Sequence, residues 1–168
     1  LAAERLLSRY ITQHLLTNVD YFSVLKPIHD AVIFSALRDY ANIVTSTHSC
    51  NISKPWCRRC AKCAYVWLNY AAYLPQKIVG QVFGENLFDV DENILWFRQL
   101  LGFEAHTPFE CVGQIEESRL AFQLCHARGY QGKAITLYAE AFPDGCLPQT
   151  IESFFLIAPE QHLIPLEL

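Results

Sequence analysis

Methionine is absent from the 168 residues. A complete translation product begins with methionine, and a following leucine is too large for its routine removal. The chain is therefore expected to be a fragment or a processed piece. No apolar run reaches the roughly 18–20 residues that cross a bilayer, so no membrane partner is expected. The longest run, Ala64 to Leu74, is broken by Asn69 and ends at Pro75; it reads as a buried helix. The first residues lack the basic stretch and long apolar core of a signal peptide. Charge is also scarce: 18% of residues are charged against 52% hydrophobic, with a net charge of −4. That balance excludes a general electrostatic attraction to nucleic acid or to anionic membrane. There is no glycine-rich phosphate loop, no local Ser/His/Asp arrangement, no paired metal-binding carboxylates, no internal repeat and no low-complexity stretch.

What is there begins with cysteine. The chain has 7, an odd number that would leave one thiol over in a secreted disulfide framework. Four crowd together as Cys50, Cys57, Cys60 and Cys63, a Cys-x6-Cys-x2-Cys-x2-Cys spacing. Disulfides between such close neighbours are strained, so the pattern reads as metal ligation in a reducing, cytoplasmic compartment. Zinc takes four soft or borderline ligands at the corners of a tetrahedron. Two cysteines three apart grip an ion from a tight turn, a third continues the grip into a helix, and Cys50 returns across a loop. Lys54, Arg58, Arg59 and Lys62 surround the set and would offset the charge of four thiolates. Four thiolates leave no open position for substrate, so the ion is expected to be structural. Buried free thiols without metal, an iron–sulfur cluster, and His48 in place of Cys50 are the competing readings.

Periodicity makes the chain mainly α, a single domain over residues 1–168 with a zinc-binding loop at 48–63. Apolar spacing predicts helices from Ala2 to Leu16 and from Ile28 to Tyr40. Ile43 to Thr47 is β-branched and reads as a short strand or an extended entry to the cysteines. A helix follows from Cys63 to about Leu74, and Pro75 opens another that ends near Gly84. Asp91 is a candidate N-cap for a helix over Glu92 to Leu101, stopped at Gly102. Further helices are expected over Gln114 to Arg128, Ala134 to Ala141 and Pro148 to Leu156, with an apolar tail from Pro159.

A second feature is the loop Pro108-Phe109-Glu110-Cys111-Val112-Gly113, followed by Glu116 and Glu117. Cys111 lies near a helix N-terminus, where a thiolate is favoured, and is a candidate nucleophile or acid/base. A partly buried loop cysteine is the plainer reading. Glu116 and Glu117 fall in a first turn, where the helix dipole alone stabilises acids; they are also candidate general bases. Cys125 and Cys146 read as core or turn residues. Asp30 is either a solvated charge or a residue that orients a neighbouring segment. Trp56 is expected to pack rather than to stack on a base.

These blocks carry a resemblance. Ser49-Cys50-Asn51, Trp56-Cys57-Arg58-Arg59-Cys60-Ala61-Lys62-Cys63-Ala64-Tyr65-Val66, Phe83-Gly84-Glu85-Asn86-Leu87, the Pro108 to Gly113 loop and Glu116-Glu117 resemble the C-terminal half of the MurL family. Those enzymes are UDP-N-acetyl-α-D-muramoyl-L-alanyl-L-glutamate epimerases of the PP-loop ATP pyrophosphatase-like superfamily. The resemblance spans roughly residues 20 to 128. It implies that a carboxylate of the substrate's terminal L-glutamate is activated with ATP and Mg²⁺, releasing pyrophosphate. The α-proton, made more acidic, is removed and returned on the other face, giving D-glutamate for peptidoglycan synthesis. It also implies that this helical part ends a larger α/β PP-loop enzyme. The Ser-Gly-Gly-x-Asp-Ser phosphate loop of such enzymes does not occur here, so an N-terminal ATP-binding region is expected upstream of Leu1, and the piece alone is expected to be inactive. The implied partners are that missing region and the UDP-muramoyl-dipeptide. Two alternatives remain: a zinc-stabilised binding or scaffold module without catalysis, and another PP-loop nucleotide enzyme of the queuosine-precursor type, which has a similar cysteine block.

Overall fold

The computed structural model describes residues 1–145, 151–156 and 162–165. Every regular element among them is helical. In chain order they are α1 (Ala2–His14), α2 (Asp30–Ala36), a 3-10 turn (Leu37–Tyr40), α3 (Ala41–Val44), α4 (Ala61–Tyr73), α5 (Gln76–Phe83), a 3-10 turn (Leu87–Asp89), α6 (Asp91–Leu100), α7 (Ile115–Ala127), α8 (Lys133–Ala141) and a 3-10 turn (Ile151–Phe155).

Helix α4 is the axis of the fold because its sequence is apolar all round. Every residue of it except Lys62 is buried, as a helix with no polar face requires. Its one buried amide is satisfied locally: Asn69 Nδ2 donates to the Tyr65 carbonyl at 2.9 Å. Small residues Ala64, Ala71 and Ala72 on α4 and Ala121 on α7 are almost wholly buried, and α7 and α6 are its main neighbours. An aromatic cluster fills the far side. Trp67 meets Phe88 edge-on at 4.5 Å between centroids, and Phe97 and Phe122 complete the group. Each such fully buried ring contributes about 1.5–3 kcal/mol.

The ends of the central helices are held by named groups. Cys60 caps α4, its sulfur accepting from the Cys63 amide. At the other end Arg128 donates to the carbonyls of Ala72 and Leu74 at 2.6 and 2.7 Å, meeting acceptors that no further turn would satisfy. Gly84 ends α5 at φ 72°, a left-handed conformation that costs glycine least.

The sequence expectations hold for most of this, with local corrections. The strand or extended segment at Ile43 to Thr47 is not present: the chain is helical to Val44 and then turns, with Ser46 and Thr47 donating to the carbonyls of Ile43 and Val44. β-branching gives only a weak preference. It yields here to the complete burial of Val44 and to the bond between Thr47 Oγ1 and the Tyr70 hydroxyl at 2.8 Å. The helix expected over Ile28 to Tyr40 starts at Asp30 and tightens into a 3-10 turn after Ala36. Asp91 is the first residue of α6 rather than its cap, a place taken by Val90. Helix α1 forms over Ala2–His14, yet none of its residues is buried. Of the last expected helix the structure describes a 3-10 turn at Ile151–Phe155; Cys146 and the start of that helix lie outside the described residues, as does much of the tail. No helix among the described residues is long and apolar enough to cross a membrane.

Candidate functional site

The loop between α3 and α4 brings Cys50, Cys57, Cys60 and Cys63 together, with all four sulfurs within 4.8 Å of one another. Cys50 and Cys60 Sγ are 3.9 Å apart, and Cys57 and Cys63 Sγ are 3.7 Å apart. A tetrahedron of sulfurs around an ion at about 2.3 Å has edges of about 3.8 Å. The donor set is therefore close to the dimensions that a four-coordinate metal ion takes, and every ligand named from the spacing is in it. His48 is not part of the set.

Backbone amides aim at the sulfurs. Ile52, Ser53 and Cys57 donate to Cys50, Arg58 to Cys63, Arg59 to Cys57 and Cys63 to Cys60, at 3.3–3.5 Å. Burial opposes charge on Cys50, but these amide bonds outweigh it and bring the thiol down to about 6. For Cys60 burial prevails and pushes the thiol up to about 11, and Cys63 is raised further for the same reason. A metal ion bound by the set would favour the thiolate form at these two buried positions.

The basic residues around the cluster are largely committed elsewhere. Lys54 donates to the Cys50 carbonyl at 2.8 Å. Arg58 and Arg59 both pair with Glu85. Lys62 reaches the Cys111 carbonyl. The amides, not the side-chain cations, make the direct contacts to sulfur. The turn itself is anchored to α6: Asn93 Nδ2 donates to the Arg58 carbonyl at 2.9 Å and Trp96 Nε1 to that of Arg59 at 3.0 Å. Arg58 sits at φ 64°, unusual for a non-glycine residue. Trp56 is buried against Phe83, with centroids 4.9 Å apart, so the packing reading holds.

A cavity of about 960 Å³ opens between the segment before α2 and the loop before α7. Lys26, His29 and Asp30 line one wall, and Cys111, Gly113 and Glu117 the other. Glu117 ties the walls together. Its Oε1 lies 3.1 Å from His29 Nδ1 and 3.4 Å from the Ala31 amide, and its Oε2 accepts from the Gln114 amide at 3.0 Å. Glu117 is only 4% exposed.

Helix α4 supports both walls. One residue before Cys63, Lys62 holds the Cys111 carbonyl; two residues after it, Tyr65 donates to Asp30 Oδ2 at 2.7 Å. The Gly113 amide faces the same Tyr65 hydroxyl. Gly113 has no room for a side chain: a Cβ there would lie 2.3 Å from the hydroxyl oxygen. Burial and the neighbouring Asp30 push the Tyr65 phenol far up, so it stays a donor.

Of the residues singled out for chemistry, Cys111 and Glu117 meet in this cavity. Glu116 is exposed and does not line it. Asp30 orients a neighbouring segment. Cys125 is a fully buried core thiol, its acidity suppressed by burial. His29 and Tyr65 were not predicted. His29 lies 82 positions from Cys111 and 88 from Glu117, and Tyr65 lies 46 and 52 positions from them, so no local spacing signals such a meeting.

The sequence pattern of the MurL C-terminal domain matches residues 35–143, well over half of the chain. The chain belongs to the MurL C-terminal domain family. It is 37% identical over 129 residues to the UDP-N-acetyl-alpha-D-muramoyl-L-alanyl-L-glutamate epimerase of a Micromonospora species, which covers 73% of this chain and 29% of that enzyme. The enzyme of the same name from Salinispora tropica is 36% identical over 129 residues, again 73% of this chain and 28% of the relative. That of Xanthomonas oryzae pv. oryzae is 30% identical over 136 residues, 76% and 30%. The chain thus spans less than a third of the length of the curated relatives it matches. No solved structure matches it. The matched MurL C-terminal region contains the cysteine cluster, α4 and the Cys111 to Glu117 wall; the His29 wall lies just before it.

Proposed function

We propose that this chain is the C-terminal part of an ATP-dependent epimerase that converts the terminal L-glutamate of UDP-MurNAc-L-Ala-L-Glu to D-glutamate for peptidoglycan precursor synthesis in the cytoplasm. The observation that carries this is the match to the MurL C-terminal domain, with relatives named for that epimerisation. ATP and Mg²⁺, bound by an N-terminal PP-loop region outside this chain, supply the activation of the glutamate carboxylate.

The residues here take the remaining tasks. Cys50, Cys57, Cys60 and Cys63 hold a structural Zn²⁺, which fixes the first turn of α4. Helix α4 in turn holds the two cavity walls through Lys62 and Tyr65. The cavity receives the glutamyl end of the substrate, and Cys111 and Glu117 belong to its proton-transfer machinery. An ionised carboxylate stabilises a neighbouring carbanion poorly, so activation must precede removal of the α-proton. Inversion then needs an acid/base group on each face, or one that moves. Glu116 faces solvent and serves the N-terminus of α7.

The test is chiral analysis. The full-length natural protein, incubated with UDP-MurNAc-L-Ala-L-Glu, ATP and Mg²⁺, is expected to yield D-glutamate on hydrolysis of the product, with pyrophosphate released. Glutamate that remains wholly L overturns the proposal.

A further inference from the structure

Glu117 has no oxygen to spare for a substrate. Both are engaged by donors from the protein, and the side chain is 4% exposed. A carboxylate so enclosed orients other groups; it does not reach a substrate carbon. Its side-chain partner is His29, whose side chain is 35% exposed and lines the cavity. A carboxylate only accepts, so the His29 Nδ1 that faces it carries the hydrogen. The lone pair is then on Nε2, the nitrogen on the other edge of the ring. Phe154 fixes the ring from the side, edge-on at 5.2 Å. A cavity-lining histidine oriented by a buried carboxylate through one ring nitrogen, with the other left to accept, has the construction of a general base. On the opposite wall, the exposed Cys111 presents the cavity's thiol.

We propose that His29, held by Glu117, is one of the two proton-transfer groups of the epimerisation, and that Cys111 is the other. This rests on the function proposed above. The substrate is a glutamyl residue with an activated carboxylate. In one direction Nε2 takes the α-proton, and the C–H electron pair delocalises into the activated carbonyl. The Cys111 thiol returns a proton to the opposite face of Cα. The imidazolium that forms is stabilised by the Glu117 carboxylate, and one proton passing from it to the thiolate through solvent restores the starting state. In the reverse direction the roles exchange. No electrons are gained or lost. Glu117 is a positioning residue in this scheme.

The experiment uses the full-length protein with ATP and Mg²⁺ in D₂O, supplied with either the L- or the D-glutamyl epimer, and reads deuterium at the glutamate α-carbon. The unsubstituted protein is expected to exchange from both epimers. His29→Gln, which keeps a polar group beside Glu117, is expected to lose exchange from one epimer by about 100-fold or more and to retain it from the other. Cys111→Ala is expected to show the opposite preference. Glu117→Gln is expected to weaken the same epimer's exchange as His29→Gln, mainly in kcat rather than KM. A purely structural role for His29 would depress both epimers alike, and that result overturns the proposal, as does undiminished exchange from both. Unsubstituted protein that neither releases pyrophosphate nor exchanges the hydrogen overturns the function itself. Active unsubstituted protein with an equally active His29→Gln overturns the dyad alone.

Discussion

The Tyr65 hydroxyl lies 2.7 Å from Asp30 Oδ2, and this contact joins the helix that leaves the cysteine cluster to the wall of the cavity. The phenol is deeply buried, so the bond is shielded from competing water. Tyr65→Phe removes the donor and leaves Asp30 without it. The expected cost is about 1–2 kcal/mol, read as a lower urea midpoint at unchanged slope. An unchanged midpoint would show that the contact does not matter to the fold.

Gly113 is fixed by the same hydroxyl. A Cβ there would fall 2.3 Å from the Tyr65 oxygen and 2.9 Å from Glu117 Oε2. Gly113→Ala is expected to destabilise by about 1–3 kcal/mol through overpacking. In the double variant with Tyr65→Phe, which removes the nearest obstructing atom, the two costs should sum to less than their separate values. Strict additivity in denaturation measurements would count against the close approach.

From α6, Asn93 secures the turn that carries the cysteines. It is fully buried and donates to the Arg58 carbonyl at 2.9 Å. Asn93→Asp exchanges that donor for an acceptor and buries it against a carbonyl. A loss of about 2 kcal/mol or more is expected, with faster release of metal to a chelator. Equal stability and equal release kinetics would refute the anchoring role.

Much of this was legible in the sequence, for physical reasons. A cluster such as Cys50 to Cys63 is local, so spacing alone names its ligands. The run from Ala64 to Leu74 has no polar face, so burial follows. The β-branched run from Ile43 to Thr47 suggests a strand or an extended entry, but β-branching is a weak preference and packing decides for a helix that runs to the buried Val44. The cavity was only half visible. Cys111 and Glu117 share a short loop and the turn after it, whereas His29 and Tyr65 arrive from distant elements through tertiary contacts that no periodicity encodes. From its place in a first turn Glu117 is either an acid stabilised by the helix dipole or a candidate base; its enclosure by His29, Ala31 and Gln114 is visible only in the folded chain.

Glu85 gives a pH-dependent contribution. Its hydrogen bonds and attraction to Arg59, with Arg58 nearby, hold its carboxyl below the ordinary range. A depressed pKa means that the folded state binds the proton less well than the unfolded state. The stabilisation is therefore fully present above the usual glutamate pKa of about 4.3, and is lost as pH falls through the lower folded value. The pair is partly exposed, so Glu85→Gln should cost under about 1 kcal/mol at neutral pH. The difference from the parent should shrink in high salt and vanish in strong acid. A difference that grows with acid would contradict the ion pair.

Helix α4 connects the cysteine cluster to the cavity walls through Lys62 and Tyr65, and the function proposed above makes zinc the anchor of that connection. The most direct test is the metal content of folded, reduced protein, followed by chelation. One zinc per chain is expected, with Cys60→Ser or removal of the metal loosening the start of α4 and lowering the melting temperature. Folded, reduced protein with much less than one zinc per chain, or with iron in its place, would contradict it.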